Sequence, residues 1–172
     1  MKTNKIIYIC LLSSLLSILA PIMIPIGNIG ITLAIFMISL ICLVLKKYSV
    51  ICIVIYITLG LIGLPVFQGY SSGLQSILGP TGGFIIGYIF YSLIVGILLE
   101  KFNKNFIYIL VVNLIGLVVC YIFGMAWFMY TTNVSFLYAL TVIIIPYVLL
   151  DLIKIILSYL VYIQLKKVTP NI

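Results

Sequence analysis

The stretch from Phe106 to Phe128 reads FIYILVVNLIGLVVCYIFGMAWF, which is 23 residues without one charged side chain. An α-helix crosses the hydrocarbon core of a bilayer with about 20 apolar residues. The rest of the chain has the same character, because 66% of its 172 residues are hydrophobic and only 6% are charged, whereas about 25% are charged in a soluble domain. Backbone groups in lipid must pair within helices or closed barrels, and barrels show alternating patterns instead of long apolar runs. The sequence therefore predicts an all-α membrane protein.

Six apolar runs are candidates for membrane-spanning helices. The second and third runs are short for a span, and the sixth is longer than one membrane thickness. The sixth also contains Pro146, which has no backbone donor, so this run is expected to bend or to begin outside the hydrocarbon core. The predicted spans are Ile6–Ile26, Ile29–Leu45, Val50–Leu64, Phe84–Leu99, Phe106–Phe128 and Phe136–Leu165.

The lysines that flank these runs all fall on one side of a six-span bundle. They precede the first run, separate the second from the third and the fourth from the fifth, and follow the sixth. Since positive residues are retained in the cytoplasm, both termini are predicted to be cytoplasmic, and residues 1–172 are predicted to form a single six-helix transmembrane domain. The net charge of +7 then needs no nucleic-acid partner. These lysines are Lys2, Lys5, Lys46, Lys47, Lys101, Lys104, Lys166 and Lys167.

The scarcity of reactive side chains excludes most enzymatic chemistry. The chain has no histidine and no arginine, and Glu100 and Asp151 are its only acids, so metal sites of histidine and carboxylate are not expected. The four cysteines lie singly within apolar runs, which predicts buried free thiols without a redox role. The phosphate-binding pattern G-x-x-x-x-G-K-[ST] is missing. We expect neither a cofactor nor ATP hydrolysis by this chain itself.

Two charged residues, Asp151 and Lys154, interrupt the sixth apolar run. Each costs about 2.5–3.5 kcal/mol at mid-bilayer on insertion scales. Their spacing places them on one helix face, where the side chains can pair. One interpretation is a device that fixes helix packing, but replacing a buried pair with apolar residues is often neutral or stabilising. The alternatives are a proton site or a ligand site, and a single carboxylate favours the ligand site.

A glycine-rich loop at about residues 65–83, the cap loop, joins the third and fourth runs on the predicted extracellular side. It carries no charge and combines two prolines with apolar side chains, which favours a folded cap over a cavity rather than a flexible connector. Within it, Gly69-Tyr-Ser-Ser-Gly73 matches the nucleophile pattern G-x-S-x-G. An intramembrane serine hydrolase that uses Ser71 and Lys154 is therefore an alternative, although the chain has no histidine base.

Two segments around the cap loop carry distinctive motifs, Tyr56–Gly69, YITLGLIGLPVFQG, and Leu78–Tyr88, LGPTGGFIIGY. They resemble the signature of the BioY family, the biotin-specific substrate-binding (S) subunits of energy-coupling-factor transporters. Ala20–Gly27, APIMIPIG, resembles the family's A-Q-I-x-I-P-L-G, and Pro146–Lys154, PYVLLDLIK, resembles P-F-x-x-x-D-x-x-K. The order and spacing agree over nearly the whole chain. Where the family has V-P-I-T-L-Q, this chain has Ile29–Ala34, IGITLA, without the proline and the glutamine.

The resemblance implies high-affinity binding of biotin from outside and its transport across the cytoplasmic membrane of a bacterium. The implied partners are a transmembrane coupling protein (T component) and two ABC-type ATPases, all within or beside membrane lipid. A substrate subunit for another vitamin is the alternative. The face with Ser13 and Ser17 occupies the family's A-x-x-x-A position, which implies docking to the coupling protein. For the ligand, the implied site residues are Asp151, Lys154, Gln68, Phe67, Tyr70, Ser71 and Ser72.

Overall fold

The computed structural model describes residues 3–24, 30–101 and 105–168, and most of these residues are helical. Two short strands, β1 (Met23–Ile24) and β2 (Ile31–Thr32), pair antiparallel with Met23 opposite Thr32. A π-helical segment, Leu140–Ile144, joins α7 to α8. Within the described ranges the helices are α1 Thr3–Leu19, α2 Ala34–Leu45, α3 Ser49–Leu61, α4 Leu74–Leu78, α5 Gly82–Lys101, α6 Phe106–Thr132, α7 Phe136–Ala139 and α8 Ile145–Val168.

The predicted all-α architecture with six long helices is confirmed. Within the described residues, four helical stretches are long and apolar enough to cross a membrane, namely Ala34–Leu61, Gly82–Lys101, Phe106–Thr132 and Phe136–Lys167. The first of these contains two helices, α2 and α3, and α1 adds a further apolar helix of 17 residues. The last stretch combines α7, the π-helical segment and α8, and it corresponds to the overlong sixth apolar run.

Two of the predicted helix boundaries are wrong. The apolar pattern predicts spans over Ile6–Ile26 and Ile29–Leu45, whereas α1 ends at Leu19 and α2 begins only at Ala34. Pro21 lacks the backbone N–H that a helix needs to continue. The described part of the intervening chain forms the hairpin of β1 and β2 instead. An apolar run therefore crosses from a helix into a short hairpin without any change in its hydropathy.

A tight turn joins α2 to α3. Lys46 enters this turn with φ of 52°, a left-handed value at which an α-helix ends. Ala34 at the start of α2 and Tyr56 in the second half of α3 line the same cavity, so the two helices run antiparallel. At the turn itself, Lys47 Nζ lies 2.8 Å from Glu100 Oε1 near the end of α5. The turn and the end of α5 therefore share one end of the bundle.

The described flanking lysines gather at this end of the bundle, which we call the lysine end. Lys5 Nζ lies 4.5 Å from the ring centroid of Tyr48 in the turn. Lys46 borders a small cleft together with Tyr162, near the end of α8. The predicted common side is therefore found in the structure, while its cytoplasmic orientation stays a prediction. The lysine end comprises Lys5, Lys46, Lys47, Lys101, Lys166 and Lys167, and Lys2 and Lys104 lie outside the described residues.

The cap loop packs on the opposite end of the bundle. The Gly73 N–H donates to the Gly60 carbonyl at 2.8 Å, and Trp127 Nε1 of α6 donates to the Gly79 carbonyl at 3.0 Å. The Phe67 ring lies so close to Gly60 that a Cβ at that position would be 2.1 Å from it, which requires glycine there. These contacts tie the loop to α3 and α6.

The helical stretch that contains Pro146 is continuous through the proline. Proline has no N–H to donate to the carbonyl four residues earlier, and the π-helical turns of Leu140–Ile144 immediately precede it. Such wider turns accommodate a break in the α-helical ladder and are frequent at functional sites. Ile143 within this segment lines the cavity described below. The irregularity expected at the proline is thus a π-helical segment at the edge of a cavity.

Candidate ligand-binding site

A cavity lies between the long helices beneath the cap loop. Its wall is mostly apolar and aromatic, and its polar groups come from α8, α6, α5, α3, β2 and the cap loop, which is the composition typical of small-molecule sites. Every long helix except α1 contributes to it, and Ala20 follows directly after α1. The lining residues are Ala20, Gly30, Ile31, Thr32, Ala34, Ile35, Tyr56, Gln68, Thr81, Phe84, Ile85, Tyr88, Cys120, Tyr121, Ile143, Tyr147, Asp151 and Lys154.

Asp151 and Lys154 form a buried ion pair on the wall of this cavity. Lys154 Nζ donates to Asp151 Oδ1 at 2.7 Å, and the two residues are only 5% and 9% exposed. The pairing on one helix face that the sequence predicts is therefore present. Charges of opposite sign at this distance offset part of each other's desolvation cost. The pair supplies the cavity with a fixed carboxylate and a fixed ammonium group in otherwise apolar surroundings.

Tyr121 of α6 completes the coordination of the carboxylate, and sequence reasoning missed it. Its hydroxyl donates to Asp151 Oδ2 at 2.6 Å, so each carboxylate oxygen has one protein donor. The chain has 13 tyrosines, and only the packing of α6 against α8 distinguishes this one. Tyr147 also lines the cavity, and its position four residues before Asp151 on the same helix face was a signal that could have found it.

Of the five predicted site residues in the cap loop, Gln68 is the one that lines the cavity. Its Nε2 donates to the Gly30 carbonyl at 3.1 Å, and this bond joins the cap loop to the segment before α2. A Cβ at Gly30 would lie 2.9 Å from that nitrogen and 2.7 Å from the Met23 sulfur. The absence of a side chain at position 30 therefore allows the amide of Gln68 to settle over the cavity.

The other four predicted site residues lie outside the cavity wall, within the part of the chain that the structure describes. Phe67 is 1% exposed and packs edge-on against Tyr56 with ring centroids 5.5 Å apart. Tyr70 is 63% exposed. Ser71 Oγ donates to the Gln68 carbonyl at 3.0 Å, and the Ser72 carbonyl accepts from Ser76 Oγ. Their contacts shape the cap loop, whereas Asp151, Lys154 and Gln68 are brought together.

The residues of the hydrolase alternative are not assembled. Ser71 donates its proton within the cap loop, while Lys154 is paired with Asp151 inside the cavity. Nucleophilic catalysis needs the base within hydrogen-bond reach of the nucleophile. Among the described residues, no cluster of three or more histidine, cysteine, aspartate or glutamate side chains occurs that could hold a metal ion. Neither the serine–lysine pair nor such a metal cluster is therefore assembled within the described residues.

The two small residues of the predicted docking face occupy different environments on α1. Ser13 is 3% exposed, and its Oγ donates to the Cys10 carbonyl at 3.0 Å. Ser17 is half-buried and donates to the Ser13 carbonyl at 2.9 Å. The outward register of α1 carries Cys10 and Ser14, which are both exposed. The side chain of Ser13 thus serves packing within the bundle in this conformation.

Comparison with known proteins connects this architecture to one family. The family model described as "BioY family" matches residues 1–171. The "Biotin transporter BioY" of Thermotoga maritima is 35% identical over 156 residues, which cover 90% of this chain and 91% of that protein. The "Biotin transporter BioY2" of Lactococcus lactis is 31% identical over 157 residues, which cover 91% of this chain and 86% of that protein. A crystal structure of "the S-component for biotin from an ECF-type ABC transporter" superposes with a TM-score of 0.86 at 30% identity, over 97% of this chain and 95% of the other.

Proposed function

Because this chain belongs to the BioY family, we propose that it binds biotin in the cavity around Asp151 and Lys154 and imports it. It acts as the substrate-binding subunit of an energy-coupling-factor transporter in the bacterial cell membrane, where its helices make it a multi-pass protein. The observation that carries the proposal is the buried ion pair on the cavity wall. Helix packing alone does not require such a pair, since apolar residues of similar volume stabilise a core as well or better.

The chemistry of the ion pair matches the ureido ring of biotin, which has two N–H donors and one carbonyl acceptor. A carboxylate has about four lone-pair sites, and Asp151 uses two of them for Lys154 and Tyr121. It can therefore accept a ring N–H without losing either partner. Lys154 has three N–H donors, so it can donate to the ureido oxygen while it stays paired. Such charge-assisted hydrogen bonds are about twice as strong as neutral ones.

The remaining wall suits the apolar thioether ring and the valerate tail. Phe84, Ile35 and Ile143 line the cavity around the polar groups and offer the contact area from which most of the binding energy of a small ligand derives. Gln68 and Thr81 lie where the cap loop meets the cavity. Since the chain has no arginine, we assign the tail carboxylate to these neutral donors.

Transport requires partners in addition to this subunit. The sequence lacks the phosphate-binding loop of an ATPase, so two ABC-type ATPases and a transmembrane coupling protein would supply the energy. We place the coupling protein against α1, where Ser17 lies beside the exposed Cys10 and Ser14. Small residues four apart allow close approach of helices in lipid. Burial of Ser13 leaves it a supporting role in that contact, and the lysine end would face the cytoplasm.

Calorimetric titration of the purified full chain with a panel of vitamins tests the proposal. Biotin is expected to bind with one site per chain, whereas thiamine and riboflavin should give only heats of dilution. Saturable heat from another vitamin, with none from biotin, would replace biotin by that vitamin. Absence of binding to every member of the panel by folded protein would remove the proposal altogether.

Labelling with a fluorophosphonate probe separates this function from serine hydrolysis. A binding subunit should not react, because Ser71 has no base within reach in the described structure. Labelling that disappears in Ser71→Ala would establish the hydrolase instead.

A further inference from the structure

A second groove, distinct from the cavity, opens between α6 and α8 at the lysine end. Its floor is apolar and aromatic, and two adjacent lysines stand at its mouth at the end of α8. We call it the α6–α8 groove. It lies on the outer surface of the bundle and takes no part in the site described above. Its residues are Ile109, Tyr159, Tyr162, Ile163, Lys166 and Lys167.

The acidic side chains of the sequence do not balance the charge at the mouth of this groove. The sequence contains only two acids, Glu100 and Asp151. Glu100 is paired with Lys47 at 2.8 Å, and Asp151 is paired with Lys154 at 2.7 Å. No acidic side chain is therefore left for the pair of exposed lysines at positions 166 and 167. Two adjacent cations without an acidic side-chain partner attract an anionic group that reaches this groove.

A third cation stands close to the same floor. A narrower cleft next to the groove is bordered by Lys46, and it shares Ile109 and Tyr162 with the groove. These two shared residues are 2% and 6% exposed, so they form a wall that is fixed by the bundle. Three lysines, Lys46, Lys166 and Lys167, thus border two clefts that share this apolar wall.

The combination of an apolar wall with a cationic mouth identifies the chemistry of the ligand. A free inorganic anion would use the lysines but gain nothing from the apolar floor. The Tyr159 ring packs at 4.9 Å from that of Phe106, and aromatic side chains of this kind mark the membrane–water interface. Basic pockets between transmembrane helices bind the headgroups of anionic lipids. The acyl chain of such a lipid would lie along the apolar floor.

We propose that the α6–α8 groove binds an anionic glycerophospholipid, with its phosphate on the two lysines and an acyl chain along the floor. The test uses native mass spectrometry of the full chain with added phosphatidylglycerol or phosphatidylcholine of identical chains. Phosphatidylglycerol is expected to bind at least about tenfold more tightly, as attraction of about 1 kcal/mol for each lysine implies. The double variant Lys166→Gln/Lys167→Gln should lose that preference.

The matched control is Lys5→Gln/Lys101→Gln, which removes the same charge from the same end of the bundle but outside the groove. It should keep the preference within about twofold. Equal binding of the two lipids to the unmodified chain would overturn the proposal. An equal loss of the phosphatidylglycerol preference in both double variants would also overturn it, because the lysine end as a whole, and not the groove, would then attract the lipid. Displacement of the lipid by millimolar inorganic phosphate would also overturn it, since the groove would then be a site for a free anion. This test is independent of biotin binding.

Discussion

Two buried polar clusters lie on one face of α8, and they differ in what they face. The upper cluster is Asp151, Lys154 and Tyr121, and it borders the cavity. The lower cluster begins four residues further along at Ser158, whose Oγ lies 2.7 Å from that of Ser39. In it, Ser39 Oγ and the Tyr91 hydroxyl both donate to Asn113 Oδ1, at 2.8 and 2.6 Å. None of the described residues of the lower cluster lines the cavity or the α6–α8 groove.

This difference indicates that the upper cluster is a ligand-binding site and that the lower cluster holds helices together. The lower cluster is neutral, closed and fully hydrogen-bonded, and it links α2, α5, α6 and α8, which is how polar residues hold helices together in lipid. The upper cluster carries full charges, at a cost that interhelical contacts do not require. A polar group that only ties helices can be neutral, whereas a group that meets a polar ligand gains from charge. Four predictions test this contrast.

Asp151→Asn is expected to have the largest effect on affinity. It should weaken biotin binding at least tenfold, because loss of charged hydrogen bonding costs roughly 1.5–3 kcal/mol. The measurement is calorimetric titration of folded, monodisperse protein. The control is Ser39→Ala in the lower cluster, which should leave the affinity within about twofold, a change well below 1 kcal/mol. Equal affinity of Asp151→Asn and the unmodified chain would remove the carboxylate from the site.

Asn113→Leu should lower stability and spare the site. It leaves two buried hydroxyls, those of Ser39 and Tyr91, without their common acceptor. Interhelical hydrogen bonds in membranes average about 0.6 kcal/mol, so we expect a loss of about 1–2 kcal/mol in the free energy of unfolding. Unfolding in mixed detergent micelles measures it. Loss of biotin affinity at unchanged stability would mean that the lower cluster is part of the site.

Tyr121→Phe and Tyr91→Phe form a matched pair, since each removes one hydroxyl that donates to a buried acceptor. A single hydrogen bond contributes about 0.5–1.5 kcal/mol. Tyr121→Phe should therefore reduce biotin affinity by about two- to tenfold, whereas Tyr91→Phe should reduce only the free energy of unfolding. Titration and unfolding of both variants check the assignment. Equal changes of affinity and of stability in the two variants would mean that the two clusters have the same role.

Sequence reasoning predicted the features that depend on local pattern. Apolar runs and flanking lysines indicated six helices and one lysine end, and the spacing of Asp151 and Lys154 indicated their pairing. It failed where hydropathy does not change along the chain. The hairpin of β1 and β2 continues the apolar character of α1, so the prolines at positions 21 and 25 were the available signals that the helix stops.

The composition of the site depended on tertiary packing, which the sequence does not display. Tyr121 and Asp151 are 30 residues apart and meet because α6 packs beside α8. In the cap loop, a glycine-rich segment gave no means to decide which side chains turn inward. Gln68 reaches the cavity while Tyr70 is exposed, and that outcome follows from how the loop settles on Gly30 and Gly60.

Ser158→Ala is expected to have the smallest effect, and it tests whether the two clusters are independent. The Ser158 hydroxyl donates to the Ile155 carbonyl of its own helix at 2.7 Å, and its oxygen lies 2.7 Å from the Ser39 oxygen, where either hydroxyl can be the donor. Alanine therefore removes the contact between Ser158 and Ser39, while Ser39 and Tyr91 still donate to Asn113. We expect a loss of about 0.6 kcal/mol in the free energy of unfolding.

Biotin affinity should not change in Ser158→Ala, although Lys154 lies only one turn away on the same helix face. The hydroxyl has no contact with the cavity within the described structure, and the Asp151 carboxylate keeps both its donors, Lys154 and Tyr121. Affinity and stability are measured in parallel. A tenfold fall in affinity would mean that the two clusters are coupled through α8, so that the loss of a hydrogen bond in the lower cluster changes the upper one. The ion pair would then be the charged end of a single hydrogen-bonded network. The free-energy cost of burying its charges in lipid would have to be offset by that whole network rather than by a bound ligand.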